Sequence, residues 1–264
     1  MDLELNGKTA LVTGSTLGIG FAIARTLARE GARIVVNGRT TERVEAAASR
    51  IRAEVPGAVV VGRVADLATA DGAAALTAAH PEVDILVNNL GIYEPKAFEE
   101  ISDADWLRFF DVNVMSGVRL SRHYLPGMKR SHWGRIVFIS SESGINIPAE
   151  MIHYGMTKSA QISVARGLAE TTAGTGVTVN SVLPGPTASE GVAGFVDQLA
   201  KDKGIAVADV EREFFRTVRP SSLLQRFIHP DEVANLVAYV CSPLASATNG
   251  AALRVEGGCV RAML

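Results

Sequence analysis

Lys8-Thr9-Ala10-Leu11-Val12-Thr13-Gly14-Ser15-Thr16-Leu17-Gly18-Ile19-Gly20 is the stretch whose reading decides the fold. Thr9 to Thr13 is a short apolar, β-branched run, as a buried strand requires. The three glycines after it open an Ala-containing helical pattern. Glycines there let the backbone turn tightly. They also let an anion approach the free N–H groups and positive dipole end of a helix. A glycine pattern alone is a weak signal; the strand before it and the helix after it give it weight.

The same rhythm continues outward. Runs at 9–13, 33–37, 59–61, 84–87, 135–140 and 177–182 read as strands covered on both faces, with a last strand at about 251–256. Helical stretches lie between them at about 18–30, 40–54, 69–79, 103–129 and 150–173, and a further one at about 230–242. Gly31 suits a helix C-terminus, Ser102 and Asp105 a capping box, and Pro230 a first helical turn. Strand–helix alternation predicts right-handed crossovers and an α/β fold: a doubly wound parallel sheet in three layers, αβα. No linker or repeat interrupts it, so residues 1–264 are expected to form one domain. Residues 184–228 break the rhythm. They carry apolar clusters at Val192, Phe195, Val196, Leu199, Phe214 and Phe215. Two short amphipathic helices and an enlarged lid over a pocket, about 186–228, are expected there.

Composition narrows the function. The chain has 264 residues, 47% hydrophobic and 20% charged, and a formal net charge of -2. That balance argues against a nucleic-acid binder, which needs a basic excess to neutralise phosphates. No apolar run reaches the length of a membrane span, and the start, MDLELNGK, lacks a signal-peptide pattern. The two cysteines, Cys241 and Cys259, match no metal or redox spacing, so no metal is expected. A soluble, cytoplasmic protein is the expectation.

Tyr154 and Lys158 are four apart on a predicted helix and project from one face. A phenol is a poor base at neutral pH, and a neighbouring ammonium favours its phenolate. In the reducing direction the same Tyr would donate a proton to a nascent alkoxide.

With T-G-x-x-x-G-x-G at 13–20, Asp66, Asn88-Asn89-Leu90-Gly91, Asn113, Ser141, Tyr154 with Lys158, Asn180 and Pro184-Gly185 all in register, the chain resembles the short-chain dehydrogenase/reductase family. The resemblance is to its shorter single-domain branch, and many close relatives look like 3-oxoacyl-carrier-protein reductases. It implies a Rossmann-type fold and hydride transfer between a nicotinamide cofactor and an alcohol or ketone. A non-catalytic NAD(P)-binding regulatory protein of the same fold is the alternative. The intact Asn113, Ser141, Tyr154 and Lys158 set favours the enzyme.

By this resemblance Ser141 hydrogen-bonds the substrate carbonyl oxygen, with Ser140 and Ser143 nearby. Asn113 kinks its helix and supports a water-mediated proton relay to Lys158. Lys158 also binds the ribose beside the nicotinamide. Gly14, Ser15, Thr16, Gly18, Ile19 and Gly20 hold the pyrophosphate. Asp66 and Leu67 approach the adenine, Asn88 and Gly91 line the trough, and Pro184, Gly185, Thr187 and Ser189 meet the nicotinamide side. Leu90 and Ser189 depart from the usual residues, which predicts a locally tighter or shifted trough at Leu90.

Where an acid would select NAD through the ribose 2′-OH, the chain has Gly38, followed by Arg39. Arg39 can bind a 2′-phosphate, so NADP is expected. An Arg39 stacked on adenine or left in solvent would leave NAD as the alternative. Ile92, Tyr93, Ser143, Ile147, His153, Val192 and Phe195 are expected to wall a mainly apolar substrate pocket. His153 reads as a wall or surface residue, not a base. A homotetramer or homodimer is implied, with helices 103–129 and 150–173 and the C-terminal segment at the interfaces.

Overall fold

A computed structural model describes residues 2–189, 200 and 206–263. Among them seven strands form one parallel sheet: β1 (Thr9–Val12), β2 (Arg33–Gly38), β3 (Val60–Val64), β4 (Ile85–Asn88), β5 (Gly134–Ile139), β6 (Val177–Pro184) and β7 (Ala252–Val255). Their order is β3-β2-β1-β4-β5-β6-β7, and every pairing is parallel. The order reverses between β1 and β4. In such a sheet the crevice beyond the carboxyl ends of the strands at that reversal is where a ligand sits.

The helices are α1 (Gly18–Arg29), α2 (Thr41–Glu54), α3 (Ala70–Ala79), α4 (Asp103–Phe110), α5 (Ser116–Arg130), α6 (Ile152–Glu170), α7 (Val207–Thr217) and α8 (Pro230–Cys241). Alternate strand residues feed two cores. Ala10, Val12, Ile34 and Val36 pack against α1, α2 and α8 on one face. Leu11, Val35, Leu86 and Ile136 pack against α3, α5 and α6 on the other. The expected doubly wound, three-layer αβα architecture is therefore what the chain adopts.

Capping follows the local chemistry. Ser102 and Asp105 close a capping box at α4, and Pro230 sits in the first turn of α8. Gly31, at φ +87°, ends α1 in the left-handed conformation.

One boundary differs from the sequence expectation. The helix expected at 103–129 is divided by a π turn over Asp111–Met115. Asn113 explains it. Its side chain serves the loop after β4: Oδ1 accepts from Ile92 N at 2.8 Å and Nδ2 donates to Ile92 O at 3.0 Å. A helix residue that spends its amide on outside backbone favours the wider turn.

Of the expected lid, α7 is amphipathic. Phe214, Phe215 and Phe227 stack edge-on or tilted within 5.2 Å between ring centroids. Residues 190–199 and 201–205, including Val192, Phe195, Val196 and Leu199, lie outside the described residues, as does Leu264. No helix among the described residues is long and apolar enough to cross a membrane.

Candidate active site

The turn after β1 is closed by polar side chains that face inward. Ser15 is fully buried; its Oγ donates to Val12 O at 2.7 Å and accepts from Asn37 N at 3.0 Å. Asn37 Oδ1 accepts from Gly14 N at 3.3 Å, and Asn37 Nδ2 donates to Ala65 O at 3.2 Å. Asn89 Nδ2 donates to Thr13 O at 2.9 Å and Gly14 O at 3.1 Å. Thr13 Oγ1 accepts from both Asn89 N and Leu90 N at 2.9 Å. Asn37 and Asn89 thus hold the glycine loop in shape. Neither was singled out in the sequence as a loop clamp, although both stand at the ends of strands that flank β1.

The loop is a cradle that side chains would fill. Gly14 and Gly18 adopt φ +58° and +59°. A Cβ at Gly20 would lie 2.5 Å from Gly14 O. The backbone there fits a dinucleotide pyrophosphate at the start of α1. At the end of β2 a Cβ on Gly38 would meet Thr16 Cγ2 at 2.5 Å and Val44 Cγ2 at 3.0 Å. A side chain at position 38 would have to displace the Thr16 methyl. Arg39 next to it is exposed. Asp66 is exposed and caps Ala68 N at 3.1 Å, whereas Leu67 is turned into the core. Asn88 is buried and donates to Ser121 Oγ at 3.2 Å.

On the far side of the trough, Gly185 lies against β7, where a Cβ would be 2.6 Å from Glu256 O. Thr187 pairs with Ile228, and its Oγ1 donates to Gly185 O at 2.9 Å. Leu90 contacts the second core, and Gly14 faces its Cα at 3.3 Å from the Cβ position.

The candidate catalytic side chains gather at the carboxyl end of β5. Ser140 Oγ donates to Lys158 O at 2.8 Å, and Ser159 Oγ donates to Gly144 O at 2.7 Å. These bonds dock the first turns of α6 on the loop after β5. Ser141 Oγ accepts from Ser143 N at 3.1 Å, and its hydroxyl hydrogen-bonds the Tyr154 phenol. Burial pushes the Tyr154 phenol up to about 12, and the Ser141 hydroxyl opposes that rise. Burial pushes the Lys158 ammonium down to about 7. Lys158 Nζ stands 5.6 Å from the Tyr154 ring centroid. A Cβ on Gly91 would lie 3.5 Å from Lys158 Nζ and from Asn113 Oδ1. Asn113, Ser141, Tyr154, Lys158 and Gly91 are therefore one cluster.

The expected pocket wall divides. Tyr93 and Ile147 are exposed, and Tyr93 meets the Tyr154 ring edge-on at 6.3 Å. Ser143 is buried and donates to Glu142 Oε1 at 3.1 Å. His153 is fully buried, 4.0 Å from the Phe109 ring and 6.0 Å from Trp106. It is not a surface residue: it fills the seam between α4 and α6, and burial lowers its pKa. A charged pair also interrupts the apolar wall. Arg219 Nε donates to Glu142 Oε1 at 2.9 Å, both groups are buried, and Glu142 Oε2 has no partner. Both charges act on the Tyr154 phenol.

A family model described as short chain dehydrogenase matches residues 8–200. The chain is 49% identical to the uncharacterized oxidoreductase YvaG of Bacillus subtilis (strain 168), with 100% of both chains covered. It is 34% identical to a 3-oxoacyl-[acyl-carrier-protein] reductase of Aquifex aeolicus (strain VF5), covering 98% of this chain and 99% of that protein. The L-sorbose reductase of Gluconobacter frateurii, solved with NADPH and L-sorbose, superposes with a TM-score of 0.93 at 30% identity over 100% of both chains.

Proposed function

Because the chain belongs to the short chain dehydrogenase family, we propose that it is an NADP-dependent oxidoreductase acting on an alcohol/ketone pair through Ser141, Tyr154, Lys158 and Asn113. One observation carries the reading. The buried Ser141 hydroxyl, the half-buried Tyr154 phenol and the buried Lys158 side chain meet at the end of β5.

When bound, the dinucleotide supplies or accepts the hydride. The glycine loop would hold its pyrophosphate, Arg39 its 2′-phosphate, and Lys158 its nicotinamide ribose. Ser141 would donate to the substrate oxygen and stabilise its developing charge. Tyr154 Oη would deliver the proton in reduction and remove it in oxidation. Lys158, as a cation beside the phenol, would ease formation of the phenolate. Asn113 would keep the loop carrying Ile92 against the turn of helix that faces Lys158.

NADPH and L-sorbose in the similar reductase, together with the exposed Arg39 and the Thr16-filled space at Gly38, support NADP and a polar ketone. The Glu142–Arg219 pair beside Tyr154 supports a hydroxyl-bearing substrate over a purely aliphatic one. Initial rates with NADPH and NADH over ketose, 3-oxoacyl thioester and steroid ketone panels test the assignment. Loss of NADPH absorbance with at least one ketone is expected; binding of NADPH without turnover on any panel would reject it.

Arg39→Ala removes charge-assisted hydrogen bonds that contribute about 1.5–3 kcal/mol. The KM for NADPH should rise about 10- to 100-fold, while that for NADH stays level. Equal changes for both cofactors would place Arg39 off the phosphate. Gly20→Ala forces a Cβ onto the Gly14 carbonyl. At about 1–3 kcal/mol for overpacking, calorimetry should find NADPH bound about 5- to 150-fold more weakly. Unaltered affinity would mean that the loop is not the pyrophosphate seat.

We further place the chain as one catalytic domain in a homotetramer or homodimer. Exposed Leu107 and Phe110 on α4, and Leu223 and Met263 near the C-terminal strand, support burial against a second copy. Light scattering reads the oligomer directly. Free, buried Cys241 and Cys259 support a reducing cytoplasmic setting.

A further inference from the structure

Gln161 lies three residues beyond Lys158 on α6 and is buried to 1% exposure. Its amide is held at both ends. Nε2 donates to the backbone carbonyl of Asn113 at 2.6 Å, and Oε1 accepts from Lys158 Nζ at 3.1 Å. The orientation has no alternative. A backbone carbonyl only accepts, so the amide nitrogen must face Asn113 and the oxygen must face Lys158. The Ile139 carbonyl, 2.9 Å away, is the second acceptor for Lys158 Nζ.

Resting on the Tyr154–Lys158 reading above, we infer that Gln161 is a positioning residue whose amide, braced on the Asn113 carbonyl, holds Lys158 protonated and in place beside Tyr154. An ammonium is costly to bury unless acceptors replace its water. An amide oxygen binds the ammonium better than the neutral amine, so it favours the charged form. Burial alone brings Lys158 down to about 7, so each acceptor decides the charge at physiological pH.

The surroundings leave this task to neutral groups. Facing Nζ are the Ile139 carbonyl at the end of β5, the Gly91 backbone after β4, Asn113 on the π turn, and Tyr154 and Gln161 on α6. Tyr154 is the titratable neighbour. No carboxylate among the described residues pairs with Lys158. Glu142 and Arg219 bear on Tyr154 as a mutually compensating pair. Gln161 thus joins the Asn113 backbone carbonyl to Lys158 through one fixed amide.

Lysine labelled with carbon-13 at Cε tests this in the full chain. It has six lysines, and the Lys158 resonance is the one lost in Lys158→Arg. Gln161→Met keeps the length and removes both polar ends. Gln161→Glu puts a carboxylate against the Lys158 ammonium, and each favours the charged form of the other. By NMR titration the Lys158 midpoint should fall by about one pH unit in Gln161→Met, a tenfold change in proton affinity. In Gln161→Glu it should rise. The pH at which alcohol oxidation rises should move up in Gln161→Met, because a less charged Lys158 favours the phenolate less, and should not move up in Gln161→Glu.

A Gln161→Met midpoint within about 0.3 unit of the wild type overturns the inference, as do equal falls in both variants. Should Gln161→Met not fold, Gln161→Glu decides: a midpoint that fails to rise rejects the role. A shifted midpoint in a protein that turns over no ketone or alcohol would instead reject the oxidoreductase reading and leave the hold on Lys158 standing.

Discussion

Tyr154→Phe should lower turnover by about 10²–10⁴-fold, the contribution of a positioned general acid–base, and leave NADPH affinity nearly unchanged. The substitution removes one oxygen. The ring remains to meet Tyr93, and Lys158 keeps its bonds to Ile139 and Gln161. The loss therefore falls on the proton step and not on assembly of the site. The wild-type pH dependence follows from the same group. Burial keeps the phenol neutral, up to about 12, so it is ready to donate in reduction. Reduction should weaken as pH rises through the apparent pKa of the Tyr154–Lys158 pair, and oxidation should strengthen over the same range, because one needs the phenol and the other the phenolate. Calorimetry with NADPH beside steady-state rates separates binding from chemistry. Retained turnover in Tyr154→Phe would remove Tyr154 from the mechanism.

Arg219→Ala should destabilise the fold by about 3–5 kcal/mol, the usual result of removing one partner from a buried ion pair. Glu142 would be left buried beside Ser141 with only Ser143 Oγ as a polar partner. Glu150, 3.5 Å from the Arg219 guanidinium, is half-exposed and would lose little. The damage should reach catalysis as well. Arg219 follows α7, so the pair ties the α7 segment to the loop that carries Ser141. Replacing both partners, Glu142→Gln with Arg219→Met, leaves no buried charge and should recover most of the stability. Urea midpoints and slopes of the three variants measure this. A loss under about 1 kcal/mol in Arg219→Ala would mean that Glu142 is stabilised by something other than this pair.

The architecture was legible because β-branched runs alternate with helical stretches as a parallel α/β sheet requires, because strands covered on both faces show no alternation, and because the glycine loop follows the first strand. Tyr154 and Lys158 were legible from their spacing on one helix face. Other features depend on tertiary neighbours that no local pattern reveals. His153 adjoins Tyr154 in the chain, yet it is sealed between α4 and α6 by Phe109 and Trp106, partners about 45 residues away. Glu142 and Arg219 meet across 77 residues, so neither position alone signals a charged pair. Ser15 and Leu67 belong to motif positions, but their side chains turn inward, which leaves the backbone there to face a ligand. Gln161 left one usable signal: a polar residue on the buried face of a helix, one turn beyond a buried lysine, must find partners there.

The most direct measurement follows the hydride itself. The protein is given NADPH carrying deuterium at the reactive nicotinamide carbon, together with a ketone that it turns over, and the product alcohol is weighed by mass spectrometry. The expected result is one deuterium on the carbinol carbon, formed by the wild type and reduced to background by Tyr154→Phe. An alcohol without deuterium, or deuterated alcohol formed equally fast by Tyr154→Phe, would contradict hydride transfer at a site governed by Tyr154 and Lys158.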